Sequence, residues 1–187
     1  MIRALLMLAV LAVGGEAWAA SFTLTDADKR AAIRTGERGV TTEAFDLEWR
    51  VSNGGGETAT VVTPFHRLAV AARHATFKSD PLKPTEVDRV LKEDAGRLVL
   101  WVSLRGRRED FARFYVPRLL AGEREIKASF VQNERTAIRQ EDGAYVARCV
   151  YGFPTQDLTG RQKVALVVAD ADGRDVSRFA IDLASMR

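Results

Sequence analysis

Six arginines, Arg97, Arg105, Arg107, Arg108, Arg113 and Arg118, fall in one stretch whose only acids are Glu109 and Asp110. A guanidinium presents a planar fork of N–H donors that matches anionic groups such as carboxylate and phosphate. This density therefore points to recognition of an anion. Arg67, Arg73 and Lys78 lie upstream, in a segment with helical spacing. If that helix packs beside the turn at 105–110, the two sets form one basic surface. Such a surface suits lipid headgroups, envelope polysaccharides or an acidic protein face. Phe111, Phe114 and Tyr115 are interleaved and would add apolar contact. The competing reading is a solvated strand edge whose charges discourage edge-to-edge pairing. The binding residues expected are Arg67, Arg73, Arg105, Arg107, Arg108 and Arg113.

Other chemistry is thinly represented. His66 and His74, the only histidines, stand eight positions apart, about 80° around a helix and two turns distant. A metal site on a helix normally uses the i, i+4 spacing and needs at least three ligands. No metal or cofactor is expected, and both histidines read as surface or helix-capping residues. Glu48, Glu134, Glu141 and Asp110 are candidate acid–base carboxylates of the kind that cleave glycans, which act as a pair about 5–10 Å apart. The simpler expectation is solvated carboxylates on strands and turns. No Gly-x-Ser-x-Gly elbow is present, and Ser103 reads as a core hydroxyl. Gly54-Gly55-Gly56 stands between two strand patterns and reads as a turn, not a phosphate loop. Gln132-Asn133-Glu134-Arg135-Thr136 interrupts the strand pattern and offers side-chain hydrogen bonds to a sugar or peptide, or forms a polar strand or bulge. Cys149, the single cysteine, lies in an apolar run and reads as a buried small hydrophobe.

The N-terminus supplies an address. Arg3 gives a positive start, Ala4 to Val13 is a short apolar run, and Ala17-Trp18-Ala19 fits the small-x-small cleavage pattern of a secretory signal. The run is shorter than the roughly 20 residues that span a bilayer. Glu16 is atypical so close to a cut. Ala20 stands where a lipoprotein would need Cys, and a twin-Arg signal is absent. A periplasmic or secreted product without a transmembrane anchor is expected, which argues against a nucleic-acid partner. Removal of Arg3 and Glu16 leaves the formal charge at +3, too small to define a partner.

These residues must be positioned by a mainly β domain with a helical insert at about 64–95. Thr25 can cap a brief helix over Asp26–Arg34, with Gly36 as its stop. Phe45, Leu47, Trp49 and Val51 alternate with polar residues, the pattern of a half-buried strand. The glycine turn follows, and then a Thr- and Val-rich strand to Thr63. Thr63-Pro64 opens one helix and Lys83-Pro84 a second that ends near Gly96. Leu98 to Leu104 reads as a central strand covered on both faces. Phe111 to Val116 alternates weakly as a strand, and 118–125 reads as a loop. Asp142-Gly143 and Asp172-Gly173 mark hairpins. Seven or eight strands at this spacing predict one domain over residues 20–187, a sandwich or barrel. An immunoglobulin-like antiparallel sandwich is the first choice, although the Cys-Trp-Cys order of antibody domains is absent. Without disulfides, such a domain relies on its core, and near 150 residues folding buries roughly 70% of the unfolded surface.

The function expected is an exported binding module of the bacterial cell envelope that recognises an anionic partner through its arginine-rich surface. That partner would be an envelope protein, a lipid headgroup or a polysaccharide. The alternatives are a small envelope hydrolase acting on glycan or ester, and an envelope assembly chaperone or scaffold.

Overall fold

The computed structural model describes residues 20–187. The expected export signal, residues 1–19, lies outside the described residues. In chain order the elements are helix α1 (Asp26–Arg38), strands β1 (Arg50–Ser52) and β2 (Thr58–Val62), and helices α2 (Pro64–Phe77) and α3 (Pro84–Glu93). Eight strands follow: β3 (Arg97–Gly106), β4 (Val116–Ala121), β5 (Arg124–Lys127), β6 (Phe130–Gln132), β7 (Ile138–Arg139), β8 (Tyr145–Pro154), β9 (Lys163–Ala169) and β10 (Asp175–Asp182). The described residues are mainly antiparallel β with three α-helices. None of the helices among the described residues is long and apolar enough to cross a membrane.

The helices begin where their caps dictate. The Thr25 hydroxyl accepts the Asp28 N–H at 3.2 Å, and the Asp28 carboxylate accepts the Thr25 N–H at 2.9 Å, a reciprocal capping box. Thr63 caps α2 by accepting the His66 N–H at 3.1 Å, with Pro64 in the first turn. Gly36, expected to stop α1, lies inside it. A Cβ there would stand 2.1 Å from the Ala69 carbonyl oxygen and 2.8 Å from the Ala72 Cβ. This glycine is the point where α1 and α2 cross closely, and the helix continues to Arg38.

Three other expectations are corrected. Residues 45–51 form a strand only over β1, because Leu47–Trp49 is a 3₁₀ turn. Phe45 and Trp49 are both buried with ring centroids 5.9 Å apart, while Leu47 is 61% exposed. The burial spacing is four, so the apparent period of two misleads. Residues 111–116 turn instead of extending, with Arg113 N–H on the Asp110 carbonyl and Tyr115 N–H on that of Ala112, both at 3.1 Å. Residues 118–125, expected as a loop, belong to the hairpin β4–β5, which reverses at Gly122 with φ 63°.

All pairings are antiparallel. The larger sheet runs β1-β2-β3-β8-β6, with β7 also on β8, and the smaller runs β10-β9-β4-β5. Neither sheet closes on itself among the described residues, so they form no barrel. The two Asp-Gly turns stand as expected, with Gly143 at φ 84° and Gly173 at φ 80°. One cluster of buried side chains draws on both sheets and the helices. Leu100, Leu104, Tyr151 and Phe153 come from the larger sheet, Leu119, Leu166, Phe179 and Ile181 from the smaller, and Leu68 from α2.

β3 is central, between β2 and β8. Its faces differ, however. Leu98, Leu100, Val102 and Leu104 point into the core. On the opposite face Val99 is buried, but Trp101, Ser103 and Arg105 are only half-buried. Cover on both faces holds for the start of the strand alone.

Candidate functional site

The sequence-predicted arginines separate into two groups. Arg97 and Arg105 stand eight residues apart on β3, which is roughly 26 Å along an extended strand. Arg67 belongs with Arg97: it ion-pairs Asp94, which Arg97 approaches at 3.6 Å. Arg73, six residues on, lies over the Phe45 ring at 4.9 Å and donates to the Thr42 carbonyl at 3.1 Å. These two arginines hold helices and loops together. The helix set and the turn set do not form one surface, because β2 delivers α2 to the end of β3 opposite Arg105–Arg108.

At that far end the chain leaves β3 through a loop, 107–115, whose placement has clear causes. Gly106 admits the Phe111 ring, since a Cβ at 106 would lie 2.2 Å from it. Phe111 meets Tyr115 edge to face at 5.7 Å. Ala112 is buried at the loop's base. The Ala137 N–H donates to the Glu109 carbonyl at 2.8 Å, and the Asn133 amide donates to that of Tyr115, also at 2.8 Å. Glu57 braces the strand exit by accepting the Arg105 N–H at 3.0 Å. It also accepts from Asn53 at 2.6 Å and from the Ser177 hydroxyl on β10.

The loop and the β9–β10 turn border a cleft of about 490 Å³ that includes Arg107, Arg108, Phe111, Phe114, Tyr115 and Arg174. Its acids are Asp110, Asp170 and Asp172. Arg174 is committed to Asp170 and Asp172 at 3.0 and 2.7 Å. Backbone N–H donation from Arg174 holds the Asp170 carboxyl below the ordinary carboxylate range. Burial, with the Asp170 charge second, pushes the Tyr115 hydroxyl up. Arg108 approaches Asp110 at 3.6 Å, with its side chain 79% exposed. Such an exposed pair stabilises little. Arg107 makes no ion pair among the described residues. Arg113 stacks over Phe114 at 5.3 Å, and Phe114 itself is 65% exposed. Arg105 is turned to Asp142, and Arg118 makes a two-pronged contact with Asp175 at 2.7 and 2.9 Å. Arg107, Arg108 and Arg113 therefore remain as outward guanidiniums beside an exposed aromatic ring.

The remaining candidates do not converge. Glu48 pairs with Arg187 at 2.6 Å. Glu134 accepts the Arg148 backbone N–H at 2.6 Å, filling the gap that β8 has between β6 and β7. Asp110 borders the loop cleft, and Glu141 is an exposed turn residue. In the polar run 132–136, Asn133 also accepts from the Tyr151 hydroxyl at 2.9 Å, so Asn133 and Glu134 serve the fold. His66 is a correction: it is fully buried, not at the surface. It lies 4.6 Å from the Trp49 ring and 3.2 Å from an Asp46 oxygen. His74 is exposed. No group of three metal-ligating side chains occurs among the described residues. Cys149 is buried, as expected, and burial raises its thiol pKa.

No known family matches the chain, and neither does any curated protein. Among solved structures, a crystal structure of a novel protein of unknown function from Burkholderia pseudomallei is similar at 11% identity and a TM-score of 0.44, over 87% of this chain and 91% of that one.

Proposed function

We propose that this chain is an exported binding module of the cell envelope that docks an acidic protein face on the loop 107–115. The observation behind this reading is the outward set Arg107, Arg108 and Arg113 around the exposed ring of Phe114, on a loop held at its base. Arginine and aromatic side chains are the residues that most often dominate binding energy at interfaces. Export is supported by the signal pattern of residues 1–19. We also read the two sheets as the layers of an immunoglobulin-like sandwich, since one buried cluster takes side chains from both.

The test is affinity capture from the native envelope by the mature chain and by the charge-reversed variant Arg107→Glu/Arg108→Glu/Arg113→Glu. The variant should lose the partner at least about tenfold, equivalent to ~1.4 kcal/mol. Its unfolding midpoint should stay within the small range typical of surface substitutions, about 0.5 kcal/mol. Capture unchanged by the reversal would remove the reading.

A further inference from the structure

The outer face of the larger sheet is a second surface, and its cleft shares no lining residue with the loop cleft. Its central residue is Trp101. Register places Thr60 and Val150 beside the indole on β2 and β8, and Arg50 beyond Thr60 on β1. One step along, Thr58, Ser103 and Arg148 form the next row. At roughly 4.8 Å per strand, Arg50 and Arg148 lie on opposite sides of the indole, about 14 Å apart across the strands. These residues line an open cleft of about 540 Å³. A neighbouring cleft of about 240 Å³ shares Trp101 and Val150 and adds Phe130, Gln132 and Arg97.

The chemistry of this face is specific. The backbone groups of β2, β3 and β8 are engaged in ladders on both sides, with Glu134 completing β8. The face therefore offers side chains only. Thr58, Ser103 and Gln132 make no side-chain hydrogen bond among the described residues, so their hydroxyls and amide are available to a ligand, and the largely buried Thr60 lies between them at the cleft floor. Arg148 is exposed and has no ion-pair partner among the described residues. Arg50 is shared with Asp46 at 3.6 Å. Of the other charges bordering the face, Asp94 is paired with Arg67 and Arg97 and Asp142 with Arg105, while the Glu134 carboxylate is held on the Arg148 backbone N–H. The indole is held by His66, 5.7 Å away in a T-shaped contact.

A flat aromatic ring among neutral hydroxyls, bracketed by guanidiniums, matches a ligand that has an apolar C–H face, many hydroxyls and a carboxylate. An extended peptide would instead need free backbone partners, which a sheet edge has and this face lacks. We propose that the face around Trp101 binds an acidic saccharide of the uronic-acid class. The indole stacks against the ring C–H face, the hydroxyls and Gln132 meet sugar hydroxyls, and Arg148 and Arg50 meet the carboxylates.

The test is titration of the mature chain with tetramers of galacturonate, glucuronate and mannuronate, each beside its fully methyl-esterified counterpart, followed by indole fluorescence and calorimetry. At least one acid tetramer should bind saturably with a dissociation constant below about 1 mM, and its ester at least about tenfold more weakly. Trp101→Ala and Arg50→Gln/Arg148→Gln should each lose binding about tenfold or more while unfolding cooperatively near the wild-type midpoint. If Trp101→Ala fails to fold, Trp101→Leu replaces it. No saturable binding, equal binding of the esters, or undiminished binding by the folded variants would overturn the proposal. The Arg107/Arg108/Arg113 reversal should bind the saccharide as wild type does, so this surface and the loop succeed or fail separately.

Discussion

His66 is, with Thr63, one of two polar side chains among the described residues that are fully buried. It sits between the Trp49 and Trp101 rings with one nitrogen on Asp46 and the other, Nδ1, without a partner. Its hydrogen bond is the chief cause that holds the Asp46 carboxyl below its ordinary pKa. A carboxyl whose folded pKa is depressed stabilises the fold above its unfolded value, and that contribution is lost as pH falls through the folded value. Asp46→Ala should therefore cost roughly 1–3 kcal/mol at neutral pH, because a buried donor loses its partner. The difference from wild type should shrink only below about pH 4. Urea unfolding of both proteins across acid pH checks this, and a gap that widens on acidification would contradict it. The sequence offered no sign of this pair. Helical spacing put His66 on the helix, but Asp46 and both tryptophans reach it from distant segments. Cys149 was readable as buried because its apolar neighbours in the chain are also its neighbours on the strand.

Among the elements, the readable ones carry their own stop and start chemistry. Thr25, Thr63-Pro64 and the two Asp-Gly turns act through bonds to residues a few positions away, so local sequence suffices to place them. Gly36 and Gly106 misled or stayed silent because their partners are tertiary. Gly36→Val should drive a side chain into Ala69 and Ala72 across the α1–α2 contact, destabilising by roughly 1–3 kcal/mol in the manner of an overpacked core. A lowered urea midpoint with an unchanged slope is the expected result, and an unchanged midpoint would contradict the close crossing. Gly106→Ala should displace Phe111 and the loop it anchors, weakening partner capture while the arginines remain in the chain. The segment 45–51 shows the opposite error. Its alternation is genuine, yet Trp49 is buried through its rings with Phe45, Phe65 and His66, and the Trp49 indole N–H donates to the Arg187 carbonyl at 2.9 Å.

At the scale of the molecule, the antiparallel β class and the helices at 64–95 were readable from periodicity. The distribution of charge was not. Eight arginines can look like one patch in sequence, whereas a single long strand separates the α2 set from the loop set and salt bridges consume members of each. Of that run, Arg107, Arg108 and Arg113 remain outward around Phe114, and on the outer face of the larger sheet Arg148 is exposed in the row next to Trp101. We propose the loop as the place where a partner docks. A direct test places a photo-crosslinking amino acid at Phe114 and, as a control, at Phe77, a still more solvent-facing phenylalanine that is 77% exposed at the end of α2. In cells of the native host, position 114 should give a discrete protein adduct that disappears with the Arg107/Arg108/Arg113 reversal, and position 77 should give none. Adducts from both positions alike, or from neither, would rule out docking at the loop.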